Sequence, residues 1–108
     1  MKIKLYILFF MLLGSWLLAP DSTKAQDSKS LFETANTYYK NKQYDEAEKM
    51  YSLLIKKDKK NANAYYNLGN TYYHLKQFSN AVLNYEKEKK LEPDNKHIDH
   101  NIQLTNNK

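Results

Sequence analysis

Three histidines are the first candidates for chemistry, because a neutral imidazole ring binds zinc and copper. His97 and His100 are three residues apart, which places them on one face of a helix, and Asp94 and Asp99 lie beside them. A structural zinc site takes four ligands, and no pattern in the sequence brings His74 to this pair. A small metal-binding protein that uses His97 and His100 therefore remains an alternative hypothesis, while we predict no metal and no other cofactor.

Neighbouring carboxylates could act as general acids and bases if folding placed them in a dry cleft that shifts their pKa. The candidates are Asp45, Glu46 and Glu48 in one segment, and Glu86 and Glu88 in another. Charged residues on helices are usually solvated, and no Ser-His-Asp spacing is identifiable. We therefore predict that the protein is not an enzyme.

The composition excludes several classes of site. The chain of 108 residues contains no cysteine, which excludes disulfides, thiolate metal sites and a cysteine nucleophile. Its only glycine beyond the N-terminal segment is Gly69, too few for a phosphate-binding loop. All 17 basic residues are lysine, so a nucleic-acid reader would lack the bidentate arginine contact. We predict no nucleic-acid partner.

The first 25 residues have the organisation of a secretory signal peptide. Lys2 and Lys4 precede an apolar run over residues 5–19, which is shorter than the roughly 20 residues of a comfortable membrane span. Thr23 and Ala25 are small residues before the predicted cleavage after Ala25. We predict export to the periplasm or cell envelope, with membrane association only through an uncleaved signal or a membrane-bound partner.

An internal repeat shows which elements must position the remaining side chains. Residues 36–39 and residues 70–73 are both Asn-Thr-Tyr-Tyr, at an offset of 34 positions. The same offset relates Lys42-Gln43 to Lys76-Gln77, Tyr44 to Phe78, Ala47 to Ala81, and Tyr51 to Tyr85. A fixed period of this size indicates stacked supersecondary units.

Each unit has the spacing of two amphipathic helices. In the second unit, a spacing of three and four residues connects Tyr65, Leu68, Tyr72 and Leu75. A second helix follows the Lys76-Gln77 turn, and Pro93 ends the unit because proline cannot continue a helix. This spacing assigns six aromatic residues to the core: Tyr38, Tyr44, Tyr51, Tyr72, Phe78 and Tyr85.

The two units resemble tetratricopeptide repeats (TPRs). The second, residues 62–95, has Tyr65, Leu68, Gly69, Tyr72, Ala81, Tyr85 and Pro93 at signature positions. The first, residues 28–61, keeps Leu31, Ala35, Tyr38, Ala47, Tyr51 and Leu54. Glu88 stands where the family usually has alanine, and we expect a loose or exposed contact there. Residues 96–108 begin a third unit, which we interpret as a capping helix or a truncated repeat.

This resemblance implies an all-α fold, with two helix-turn-helix repeats and a C-terminal capping helix in a short right-handed solenoid. It also implies a concave groove, lined by the first helix of each unit, that binds a peptide or a partner helix. The groove positions here are Phe32, Asn36, Tyr39, Lys40, Tyr66, Asn67, Asn70, Tyr73, His74 and Asn101.

Four asparagines of this groove have two possible roles. Asn36 with Asn67, and Asn70 with Asn101, could offer paired donors and acceptors to a peptide backbone, or could simply bridge adjacent helices. The carboxylate-clamp subtype of the family has lysine where this chain has Phe32, so we do not expect recognition of a peptide C-terminal carboxylate.

A narrower resemblance is to the N-terminal region of BatE-type proteins, from the Bacteroides aerotolerance system of envelope proteins. It includes KAQ at residues 24–26, LFETAN at 31–36, the segment 65–95, and DHNIQL at 99–104. It implies partners within an envelope complex. A further alternative is a structural unit that self-associates as a homo-oligomer through its open end, near Glu88 and Ile102.

Overall fold

The computed structural model of the protein describes residues 27–108, which form helices and contain no strand. The helices are α1 (Ser28–Lys40), α2 (Tyr44–Lys57), α3 (Ala62–His74), α4 (Phe78–Leu91) and α5 (Lys96–Asn106). The all-α prediction is confirmed for this part of the chain, and the predicted signal peptide lies outside it.

The helices form a linear array in which each one packs against the next along the chain. Helices α1 and α2 make the first repeat, and α3 and α4 make the second. Helix α5 packs on α4, in the position of the first helix of a third unit. Each of the two repeats has a turn of three residues between its helices, at 41–43 and at 75–77.

One side chain caps the first helix of each of the three units. Asp27 Oδ1 accepts a hydrogen bond from the Ser30 amide at 2.8 Å, which begins α1. Asn61 and Asn95 begin α3 and α5 in the same way, accepting from backbone amides at 3.1 and 3.2 Å. Each cap satisfies a backbone donor that the helix itself cannot pair.

The turns inside the two repeats have the same backbone geometry. Lys42 and Lys76 have positive φ angles of 59° and 61°. The amide of the following residue, Gln43 or Gln77, donates to the carbonyl five residues earlier, at 2.9 Å in both turns. This is the Schellman arrangement, which usually has glycine at the left-handed position because a Cβ atom is disfavoured there.

The substitution Lys76→Gly should therefore raise the free energy of unfolding by about 1 kcal/mol, because glycine adopts the left-handed conformation without the steric cost. Urea denaturation would measure this change. Lys76→Ala is the matched control, since it removes the same charged side chain but keeps the Cβ atom. An equal gain in both variants would show that the backbone conformation is not the cause.

The core contains two buried tyrosines at repeat-equivalent positions. Tyr51 is 1% exposed and packs with Ala35, Ala47 and Leu68, while Tyr85 is 2% exposed and packs with Ala81 and Ile98. A third cluster, of Leu31, Leu54 and Ala64, joins the first repeat to the second.

The assignment of all six repeat aromatics to the core was wrong in part. Tyr38 and Tyr72 pack against the core cluster around Tyr51 but are only half-buried. Tyr44 and Phe78 are also half-buried, and their rings pack against aromatic rings of the first helices rather than within the core clusters.

Of the loose or exposed contact expected at Glu88, exposure was wrong. The residue is 3% exposed, and its Oε2 atom has no hydrogen-bond partner among residues 27–108. Its spacing places it on the face of α4 that carries Ala81 and Tyr85, which pack with Ile98 of α5, and it corresponds to buried Leu54 in the first repeat. Docking of α5 therefore buries this carboxylate, although most residues of its type remain solvated.

Candidate functional site

The first helices of the three units lie side by side and share one surface, which we call the groove surface. Asn67 Nδ2 on α3 donates to Asn36 Oδ1 on α1 at 3.2 Å. The side chain of Lys108, just after α5, places Nζ 5.7 Å from the ring centroid of Tyr73 on α3. The predicted groove residues on α1, α3 and α5 are thus brought together across two junctions, one between α1 and α3 and one between α3 and α5.

At the first junction the asparagines bridge the helices. Asn36 Oδ1 accepts from the Tyr51 hydroxyl at 2.5 Å as well as from Asn67 Nδ2. Burial raises the pKa of Tyr51 to about 12, so its hydroxyl stays protonated and donates at neutral pH. This network fixes the orientation of the Asn36 amide and joins the two asparagines to each other.

The second junction has the same residue types but a different arrangement. The Tyr85 hydroxyl donates to Asn70 Oδ1 at 2.6 Å, which repeats the Tyr51 contact. The side chain of Asn101, however, makes no hydrogen bond with the described residues, unlike Asn67 at the first junction. A cleft of about 190 Å³ opens here, which we call the groove cleft, and its lining comprises Asn70, Tyr73, Tyr85, Asn101, Leu104 and Thr105.

Tyr85 takes its position from a close approach to Gly69. A Cβ atom at residue 69 would lie 2.5 Å from Cε1 of the Tyr85 ring. Glycine therefore lets the ring lie directly against α3, from where its hydroxyl reaches Asn70 in the groove cleft. Burial raises the pKa of Tyr85 above its ordinary value, so this hydroxyl also stays a donor.

One edge of the groove surface is a row of aromatic rings, the aromatic row, made of Tyr39, Tyr44, Tyr73, His74 and Phe78. The His74 ring stacks on Tyr44, with centroids 4.6 Å apart and planes 3° from parallel. Tyr39 meets Tyr44 edge to face at 5.5 Å, and Tyr73 meets Phe78 in the same way at the same distance. Such contacts hold the rings in fixed relative orientations.

Two family models match this sequence. One, described as TPR repeat, matches residues 35–76, and the other, described as tetratricopeptide repeat, matches residues 62–95. Together they span residues 35–95, more than half of the chain. The chain contains tetratricopeptide repeats. This confirms the broader resemblance drawn from the sequence.

Solved TPR structures share the fold. The first TPR of Spaghetti (RPAP3), bound to the HSP90 peptide SRMEEVD, aligns with a TM-score of 0.73 and 21% identity, covering 91% of this chain and 82% of that chain. The first TPR domain of human RPAP3, determined by NMR, aligns with a TM-score of 0.72 and the same identity and coverage. No curated protein sequence matches this chain.

The ten predicted groove residues all reach the surface of the TPR array. Lys40 and His74 are exposed, and the other eight are half-buried. Phe32 and Tyr66 are partly used by the core, since their ring centroids lie 6.3 Å from those of Tyr51 and Tyr85 respectively. Asn70, Tyr73 and Asn101 are the three predicted residues that line the groove cleft.

Sequence reasoning missed two kinds of residue at this TPR groove. Tyr44 and Phe78 belong to the aromatic row rather than to the core. Leu104 and Thr105 line the groove cleft, and the repeat offset would have found Leu104, because it is the third-unit equivalent of Asn36 and Asn70.

The histidines of the TPR array do not form a ligand set in the structure. His74 is in the aromatic row on α3, while His97 and His100 are exposed on α5. Across residues 27–108, no three His, Asp or Glu side chains are grouped so that they could hold a metal ion. Over the same residues, every helix is too short or too polar to cross a bilayer.

Proposed function

We propose that the protein is a non-enzymatic interaction module that binds an extended peptide or a partner helix along its groove surface. The observation that carries this proposal is the groove cleft, where the side-chain amide of Asn101 has no hydrogen-bond partner among the described residues. The solved TPR of RPAP3 that shares this fold holds a peptide, which supports the same class of ligand.

The chemistry of the groove cleft suits a peptide backbone. Because Asn70 Oδ1 accepts from Tyr85, the Nδ2 group of Asn70 is left to donate, and the Asn101 amide can both donate and accept. Tyr73 adds flat apolar area with a polar tip beside these amides, a combination common at protein interfaces. Peptide binding would then complete at the second junction the bridge that Asn36 and Asn67 make at the first.

Tyr73→Ala and Asn101→Ala should each weaken peptide binding by about tenfold or more, because each removes a central contact of the groove cleft. A peptide display library selected against the wild-type chain would supply the ligand, and calorimetry would measure its affinity for each variant. Leu83→Ala is the control, since Leu83 is 52% exposed on α4 and is no part of the groove surface.

Unchanged affinity in both groove variants would place the ligand elsewhere. Loss of binding in Leu83→Ala with retention in Tyr73→Ala would assign it to the face formed by the second helices. Circular dichroism should show that all three variants keep the helix content of the wild type.

We further propose that the module works after export, in the periplasm or cell envelope, within a complex of the Bat type. Support comes from the sequence: the lysines at positions 2 and 4, the apolar run over 5–19, and the BatE-like segments. N-terminal sequencing of the exported protein should begin at Gln26, and an intact Met1 would contradict cleavage. Cross-linking in the native envelope, followed by mass spectrometry, should recover other Bat components.

A further inference from the structure

A second cleft lies between α4 and α5, and we call it the α4–α5 cleft. Its volume is about 350 Å³, and its lining comprises Phe78, Ser79, Val82, Thr105, Asn106 and Lys108. It shares only Thr105 with the groove cleft, and it includes none of the predicted groove residues. The function proposed above does not use it.

The repeat offset shows what occupies the same place one unit earlier. Counting back 34 positions, Phe78 corresponds to Tyr44, Val82 to Glu48, Asn106 to Tyr72, and Lys108 to His74. At the junction of α2 and α3, the Tyr72 hydroxyl donates to Glu48 Oε1 at 2.9 Å, and the His74 ring stacks on Tyr44. Two aromatic rings from α3 therefore cover the beginning of α2.

A buried threonine contact is the same in the two helices, α3 and α5, that form these junctions. Thr71 and Thr105 are buried equivalents, and each donates to the carbonyl one turn earlier, at 2.7 and 2.6 Å. The covering rings differ, because Asn106 is much smaller than Tyr72 and Lys108 extends toward the Tyr73 ring. The α4–α5 cleft is thus the continuation of an interface that this chain fills with its own aromatic side chains.

We propose that the α4–α5 cleft receives an aromatic side chain from a partner polypeptide, seated where Tyr72 sits at the preceding junction. The walls favour a phenylalanine-type ring, since Phe78 and Val82 are apolar and Val82 replaces the carboxylate that accepts from Tyr72. The partner would extend the helical array. The proposal does not rest on peptide binding in the groove, although the two clefts share Thr105.

The test uses N-acetyl-phenylalaninamide as a probe of the full chain, followed by backbone amide shifts in NMR spectra. We expect saturable shifts at Ser79, Val82 and Asn106. The variant Asn106→Tyr should lose them, because its own ring would fill the cleft, whereas the adjacent Asn107→Tyr should keep them. Absence of saturable shifts in the wild type, or their persistence in Asn106→Tyr, would overturn the proposal.

A second variant restores the chemistry of the first repeat. Val82→Glu supplies the acceptor that Glu48 gives to Tyr72, so it should change the preferred probe from N-acetyl-phenylalaninamide to N-acetyl-tyrosinamide. An unchanged preference would contradict the assigned seat of the ring. Sedimentation of the wild type separates the occupants: self-association that Asn106→Tyr abolishes would assign the cleft to a second copy of this chain and overturn the proposed partner.

Discussion

Replacing Glu88 by leucine should raise the free energy of unfolding by about 3 kcal/mol at pH 8. This gain is an upper bound, because it treats the charge of Glu88 as fully buried. The Glu88 side chain is 3% exposed, on the face of α4 that packs with Ile98 of α5, and one of its oxygens is unpaired among the described residues. Burial, and secondarily the nearby charge of Glu92, raise its pKa from 4.5 to about 7. That difference corresponds to about 3 kcal/mol at about 1.4 kcal/mol per pH unit.

The raised pKa of Glu88 also makes the free energy of unfolding depend on pH. Above pH 7 the carboxylate is ionised in both folded and unfolded chains, so the folded state bears the full cost of the buried charge. As the pH falls from about 7 toward 4.5, the folded protein keeps a proton that the unfolded chain lacks, and the cost disappears. The wild type should therefore gain stability in this window relative to Glu88→Leu.

Urea denaturation of both chains at pH 8 and at pH 4.5 would measure this effect. Glu86→Leu is the matched control, because Glu86 is exposed on the same helix and the same change removes the same charge. A stabilisation by Glu88→Leu that is equal at the two pH values, or a similar gain from Glu86→Leu, would rule out charge burial as the cause.

Leu54→Ala should lower the free energy of unfolding by about 2 to 5 kcal/mol, because it removes buried methyl groups and leaves a cavity. Leu54 is 0% exposed and packs with Leu31 and Ala64, where the first repeat meets the second. In a linear array such a junction couples neighbouring units, so its loss should also reduce the cooperativity of unfolding.

The adjacent leucine provides the control. Leu53 is 43% exposed on the same helix, so Leu53→Ala should change the free energy of unfolding by no more than about 0.5 kcal/mol. Denaturation curves of the two variants, fitted for both midpoint and slope, would make the comparison. Equal destabilisation by the two substitutions would contradict the packing described for α2.

The substitutions at Leu54 and Glu88 change the same position of the two repeats. Together they show which junction between units is the less stable one. Leu54 packs in the cluster that joins the two repeats, whereas Glu88 places a carboxylate oxygen without a hydrogen-bond partner at the equivalent position before α5. The junction of the second repeat with α5 also contains both clefts and the Asn101 side chain, which makes no hydrogen bond with the described residues. The two proposed binding surfaces and the incomplete packing thus coincide at α5, as expected where function is favoured over stability.

The sequence by itself determined the repeat register and the helix pairs. These follow from spacing within one helix and from a period of 34 residues, and both are local properties that neighbouring units cannot change. The offset also identifies the equivalent pairs, Tyr51 with Tyr85 and Leu54 with Glu88, on which the comparison of the two junctions depends.

Only the tertiary structure decided which of the repeat-equivalent residues form hydrogen bonds across a junction and which are buried. Asn67 reaches Asn36 while Asn101 makes no such bond to Asn70, and docking of α5 buries Glu88, which its residue type predicts to be solvated. Helical spacing states which side of a helix a residue is on. Hydrogen bonding and burial depend on the side chains of the neighbouring helix across the junction, which the spacing within one helix does not describe.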